Sequence, residues 1–302
     1  MKFNFFLKNH EMGGVAMLED ALRPMAAGMI EGGHQVQFEY THLLPRPYVN
    51  LVLEHFPGPG LLNDMMAAKE KFGDDLIIGL VATEDLSDSL SLGKVGDRPR
   101  VTNLLRSLPF FDFVWLLMAD QQYDVELTKA GATNKAHFLA FGHCPSLQAQ
   151  PAEDQTIDIL LYGKFTPHRA PPIHQLLKQG VRVQATFGDM PEYIRHNMIS
   201  RSKIVLDMRR GPVVRFLSAS RITAALHYGS LVVAEDFDTS IMGKLADYTL
   251  RTPYERLAER CLEILALPDT ERLGMAQQLR DKFAAETSMR RNIDALLPTI
   301  PY

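Results

Sequence analysis

Ile157-Asp158-Ile159-Leu160-Leu161-Tyr162-Gly163-Lys164-Phe165-Thr166-Pro167-His168-Arg169 decides the fold. Residues 157–162 form a short apolar run of strand length and composition. Residues 163–168 read as a turn, and 171–179 as a helix that Gly180 stops. Strand, glycine turn and helix, in that order, is the unit from which parallel sheets are assembled. Working outward, 181–185, 203–207 and 230–234 are predicted strands, and 220–227 is a predicted helix closed by Gly229. Beyond Pro253 the chain becomes helical and charged, over 256–265, 270–285 and 289–297.

The first half repeats the plan. Phe3 to Leu7 is a buried-strand run, 9–14 a turn, and 15–30 carries apolar residues at helical spacing (Val15, Leu18, Leu22, Met25, Met29) before Gly32-Gly33. Strands are predicted over 35–40, 48–53, 76–81, 113–118 and 137–141, with helix-length stretches between most of them. That alternation predicts an α/β chain with parallel sheets covered on both faces. Residues 148–155 are polar, contain Pro151 and read as a linker. The expectation is therefore two Rossmann-like domains, 1–148 and 149–302, facing each other across a cleft, with closing C-terminal helices.

A chain of 302 residues that is 46% hydrophobic and 23% charged has the composition of a globular protein with a sizeable core. Its formal net charge of −4 argues against a general electrostatic grip on nucleic acid. Cys144 and Cys261 make neither a zinc spacing nor a disulfide framework and read as buried thiols in a reducing compartment. The opening apolar run is too short for a signal segment, and no stretch approaches membrane-spanning length, so a cytoplasmic location is expected.

Three constellations sit where predicted strands end. The first is Glu11-Met12-Gly13-Gly14, with His10 before it. The glycines permit close approach of a ligand, and His10 or Glu11 is the candidate general base. A tight turn without ligand fits the same residues. The second is the turn after Tyr162, which gathers Gly163, Lys164, Thr166, His168 and Arg169. Two cations, a hydroxyl and free backbone amides suit a phosphate or diphosphate. The third is Asp207-Met208-Arg209-Arg210, followed by Ser218, Ser220 and Arg221 at a helix start. A serine there caps the helix, whereas Arg221 in the first turn opposes the helix dipole unless an anion lies beside it. Glu84 is a further candidate for holding an acceptor hydroxyl. Asp236-Phe237-Asp238 matches a three-residue metal-nucleotide motif, but so short a match defines no metal site. The ten histidines show no metal spacing, and neither a nucleophile elbow nor a Walker loop is present.

The second half resembles the CgeB-like glycosyltransferases. Residues 158–169 are similar to the strand and turn that open the donor domain of that family. Residues 203–210 and 220–234 are similar to later segments, 283–289 to its closing helices, and 139–145 to its interdomain hinge. The resemblance implies the GT-B fold, with the acceptor on the first domain and a nucleotide sugar on the second. It also implies transfer without a bound metal or other cofactor. By the same resemblance Lys164, Arg169 and Arg221 are the diphosphate partners and His10 or Glu11 the acceptor-side residues. One departure is Ala224, where family members commonly carry a glutamate; this weakens any retaining, paired-glutamate assignment. The expected partners are thus a nucleotide-sugar donor and an acceptor the sequence does not name. The alternative is a catalytically silent binding protein that keeps the two-domain shell. A third reading is a two-lobed periplasmic-type binding protein, against which the short opening apolar run counts, or a sugar-phosphate isomerase; the long closing helices count against both.

Overall fold

The computed structural model describes the chain except residues 9–11, 55, 57–58, 84–85, 87–97, 133–134, 187–189 and 213, and the side chains of 12–17 and 98–99. The contacts divide it into two compact units. Unit 1 comprises Met1–Val15, Gly28–Ala140 and Arg290–Tyr302; unit 2 comprises Ala16–Ala27 and Phe141–Met289. This division allots residues 16–27, 141–148 and 290–302 differently from a single cut after residue 148.

Unit 1 is built on six strands, β1 (Lys2–Phe6), β2 (Gln35–Glu39), β3 (Tyr48–Leu53), β4 (Ile77–Ala82), β5 (Phe113–Leu116) and β6 (Ala136–Phe138). Their order is β2-β1-β3-β4-β5-β6 and every pairing is parallel. Helices α1 (Met12–Glu31), α2 (Gly60–Phe72), α3 (Arg98–Ser107) and α4 (Gln122–Lys129) fall between the strands. β3 and β4 are buried along nearly their whole length, as expected for strands covered on both faces. Val52, Ile78, Leu80, Val114 and Leu116 pack with Met65, Phe111 and Tyr123 into one core. The buried Asn4 amide donates to Asn50 Oδ1 at 2.9 Å, and Asn50 Nδ2 donates to the carbonyls of Leu44 and Ile77.

Unit 2 holds five parallel strands, β7 (Ile157–Tyr162), β8 (Val183–Thr186), β9 (Ser202–Asp207), β10 (Leu231–Glu235) and β11 (Leu250–Thr252), in the order β11-β10-β9-β7-β8. The chain passes from β7 outward to β8 through α5 (Ala170–Lys178), then returns through α6 (Glu192–Ser200) to β9 on the opposite side of β7. Right-handed crossovers in opposite directions place successive helices on opposite faces. The reversal makes the carboxyl ends of β7 and β9 a topological switch point, where ligands of open α/β sheets bind. Alternation along β7 and β9 sends Ile159, Leu161, Ile204 and Leu206 to one core, shared with Ile173 and Leu176 of α5 and with Leu257, Cys261 and Ile264 of α9 (Leu257–Leu265). Helix α7 (Ala219–His227) follows β9, a short α8 (Thr239–Met242) follows β10, and α10 (Asp269–Glu286) and α11 (Met289–Leu296) close the chain. Among the described residues no helix is long and apolar enough to cross a membrane.

The elements expected from the sequence are present, mostly displaced by a residue or two. The principal shift is at α1, which opens at Met12, so that Gly13 and Gly14 stand in its first turn and not in the loop ahead of it.

Candidate functional site at the switch point of the second sheet

Tyr162 ends β7 and Gly163 turns the chain with φ +107°, a left-handed value that favours glycine. Crowding reinforces the choice: a Cβ there would lie 2.8 Å from Arg221 Nη2. The Gly163 N–H donates to the Thr186 carbonyl at 3.1 Å, which fixes the turn to the end of β8.

Across the switch point, Asp207 ends β9 with no exposed surface and pairs closely with Arg221. Ser218 is the cap of α7, its hydroxyl accepting from Arg221 N at 3.4 Å, while Ser220 Oγ lies 3.1 Å from Ser218 Oγ. The anion that a first-turn arginine calls for is thus Asp207 itself. Burial opposes the Arg221 charge, but Asp207 and Tyr162 outweigh it and raise the guanidinium's pKa. The Tyr162 ring supports the same guanidinium at 4.9 Å. Arg221 Nε and Asp207 Oδ2 are buried without a hydrogen-bond partner, as is Thr166 Oγ1 in the turn.

Arg169 is buried and spends its donors on carbonyl oxygens: Nη1 on Lys164 at 2.7 Å, and Nε on Met208 and Arg209 at 3.1 and 3.2 Å. Burial and the neighbouring Arg221 cation pull its pKa down to about 10. The arginine ties the β7 turn to the loop after β9. Glu235, at the end of β10 and fully buried, does the same from the other side. It accepts from His168 Nε2 at 3.0 Å, from Arg209 N at 2.9 Å and from Arg209 Nε at 2.8 Å. His168 stacks on Tyr254 with centroids 4.3 Å apart, and the Tyr254 hydroxyl donates to the His168 carbonyl at 2.6 Å. Lys164, by contrast, is exposed.

Gly163, Lys164, Thr166, His168, Arg169, Asp207, Arg209, Ser220 and Arg221 therefore all lie on the turns and helix start that follow β7 and β9. Glu235, Tyr162 and Tyr254 join them and carried no motif in the sequence. A charged residue closing an apolar strand, as Glu235 does beside Asp236-Phe237-Asp238, is the signal the sequence offers for it. Asp238 is the cap of α8, accepting from Ser240 N at 3.1 Å. Ala224 is buried in α7. His10, Glu11 and Glu84 lie outside the described residues. Among the described residues no group of three or more His, Cys, Asp or Glu is placed to hold a metal ion.

No family model matches the chain, and no curated protein matches it. Solved structures do. An alpha-glucosyltransferase in complex with UDP and DNA containing an HMU base matches with a TM-score of 0.65 at 9% identity, over 100% of both chains. T4 phage BGT in complex with UDP and Mn2+ matches with a TM-score of 0.64 at 13% identity, again over 100% of both chains. The chain has the GT-B fold. A third GT-B structure, an alpha,alpha-trehalose-phosphate synthase from Burkholderia xenovorans, matches with a TM-score of 0.54 at 10% identity, covering 96% of this chain and 78% of that one. Identities this low establish the GT-B architecture and leave the chemistry to the site.

Proposed function

We propose that the chain is a glycosyltransferase that moves a sugar from a nucleotide-diphosphate sugar to an acceptor hydroxyl, with the diphosphate at the turn after β7. The observation that carries the reading is the meeting of Gly163, Lys164 and the Asp207-anchored Arg221 at the switch point of a GT-B sheet. As the sugar–oxygen bond breaks, negative charge builds on the departing diphosphate. Cations and amides already fixed in place stabilise it without reorganising. Lys164 and the turn amides are the direct partners in this proposal. Arg221, held by Asp207, sets its guanidinium against Gly163 behind them, while Arg169, Arg209, His168 and Glu235 hold the two loops in position.

UDP is the proposed nucleotide, because the similar structures contain UDP or UDP-glucose. The second half is the donor domain and the first the acceptor domain, with His10 or Glu11 as base and Gly13, Gly14 and Glu84 as further acceptor-side candidates. The likeness of 158–169 and 203–234 to the CgeB-like enzymes favours that branch of the fold. We also propose metal-independent transfer, because Asp207 and Glu235, the buried carboxylates at the switch point, are each neutralised by an arginine. The buried thiols Cys144 and Cys261 favour a reducing compartment, the cytoplasm.

A thermal-shift series with UDP, GDP, CMP, dTDP and their sugars tests the reading. Ligand at a hundred times its dissociation constant adds about 2.7 kcal/mol of stability, so UDP should raise the midpoint clearly. Lys164→Met should reduce that shift without changing the unliganded midpoint, and chelator should leave it intact. A chain that responds to none of the nucleotides is the silent shell, and the proposal fails.

A further inference from the structure

Unit 2 carries a second concentration of charge that none of the roles above uses. Asp20, on the stretch of α1 that belongs to unit 2, is 6% exposed. Its carboxylate accepts from Arg195 Nε at 3.0 Å and His196 Nε2 at 3.1 Å, with the Tyr162 hydroxyl at 3.3 Å. Burial works to raise its pKa, but His196 and Arg195 outweigh burial and lower it, so Asp20 is an anion. With Nε2–H given to Asp20, His196 turns Nδ1 toward the Tyr228 hydroxyl at 3.0 Å and the Arg23 guanidinium at 2.8 Å. Arg23 also pairs closely with Glu192. Arg23, Glu192, His196 and Tyr228 form part of the wall of an open groove of about 670 Å³, completed by Tyr193, Asn197 and Ser200.

We propose that this groove is a saccharide-binding site. Its volume lies in the range of small-molecule pockets. A sugar hydroxyl both donates and accepts, and the groove supplies an acceptor-only group in Glu192 and a donor-only group in Arg23. Asn197 and Ser200 do both. Tyr193 is 75% exposed, an aromatic face in open solvent suited to the C–H face of a pyranose ring. The His196 and Tyr228 rings, 4.7 Å apart and tilted, form an aromatic part of the wall. The Arg23 and Glu192 charges cancel, so the groove gives a phosphate or a cation no net attraction and favours a neutral, hydroxyl-rich ligand. The Asp20 contact presets His196 in the groove wall, which reduces the ordering cost of binding. The groove shares no lining residue with the switch-point cluster, and the proposal stands whether or not the chain transfers sugar.

The test is calorimetry and saturation-transfer NMR on the full chain with methyl α-glucoside, maltose, cellobiose and lactose at millimolar concentration. At least one should bind, and Tyr193→Ala and Asn197→Ala should each weaken it about tenfold. Both residues are exposed, so folding is not at issue, and the thermal response to UDP should be the same in the variants as in the wild type. Failure of every sugar to bind overturns the proposal, as does binding that neither substitution alters. Self-association removed by Tyr193→Ala, without sugar binding, also overturns it and makes the groove a contact between copies. Loss of the UDP response with sugar binding retained would refute the transfer reading alone.

Discussion

Arg221→Met at the buried pair with Asp207 is expected to unfold unit 2 well before the wild type does. The pair has almost no solvent contact, so removing the guanidinium strands a carboxylate with no water to solvate it. Breaking a buried pair from one side costs about 3–5 kcal/mol. Arg169 recovers little of this, since its donors are committed to the carbonyls of Lys164, Met208 and Arg209. Asp207→Asn alone should cost a similar amount by leaving Arg221 uncompensated. The double variant removes both charges and should recover most of the loss, because neutral replacement of a buried pair is often nearly free. Urea unfolding of all four proteins, followed by a probe in unit 2, gives the coupling energy of the cycle. Additive losses would refute the idea that each charge exists to neutralise the other. UDP binding then separates stability from function: the double variant should be folded and bind UDP more weakly, since the Arg221 guanidinium no longer stands against Gly163 of the turn.

His227 is buried with Nδ1–H donated to the Thr223 carbonyl at 2.8 Å and Nε2 accepting from Cys144 N at 2.9 Å. Burial pulls its pKa from 6.5 down to about 4. The unfolded state then binds the proton first as pH falls, so stability present above pH 6.5 declines toward pH 4, by about 3 kcal/mol in all. An unfolding series across that range in wild type and His227→Gln should show the loss in wild type only. Gly163→Ala combines φ +107° with a Cβ 2.8 Å from Arg221 Nη2 and should cost about 2 kcal/mol or more. Gly180→Ala, at φ +75° but in open space, should cost only about 1 kcal/mol in the same melts. Cys261, its thiol pushed up to about 12 by burial, and the fully buried Cys144 should be silent to Ellman's reagent until the chain unfolds.

The central strands were legible because they are largely apolar runs, and β3 and β7 have the ends that residue pattern alone assigns, whereas the short edge strand β11, Leu250-Arg251-Thr252, carries no such run. Gly163 and Ser218 were legible for local reasons, a turn and a cap. Helix α6 was not: Glu192-Tyr193-Ile194-Arg195-His196-Asn197 mixes charge and aromatics without a clean apolar face, because Arg195 and His196 point inward to Asp20. That partner lies 175 residues away in sequence, beyond the reach of any local spacing. The candidate cations show the same limit. Nothing near Arg169 or Arg209 says that one clamps carbonyls and the other a buried glutamate; only the sheet order brings those acceptors within reach. Charge at a strand end marked where these side chains gather and left the division of labour open.

The interleaving of the two units along the chain also sets an order of events. Unit 2 includes Ala16–Ala27, made before almost all of unit 1, and unit 1 includes Arg290–Tyr302, made after all of unit 2. During synthesis, then, unit 1 lacks part of its contacts when its sixth strand emerges. It must wait for the segment whose Asn292 amide donates to the Ala140 carbonyl at 2.8 Å and whose Pro301 carbonyl receives Arg46 Nη2 at 3.2 Å. A fragment starting at residue 149 would likewise leave Arg195 and His196 buried without Asp20. Cutting this chain in the middle yields two incomplete pieces, and a permuted chain that rejoins each unit in sequence is the version in which either is expected to fold alone.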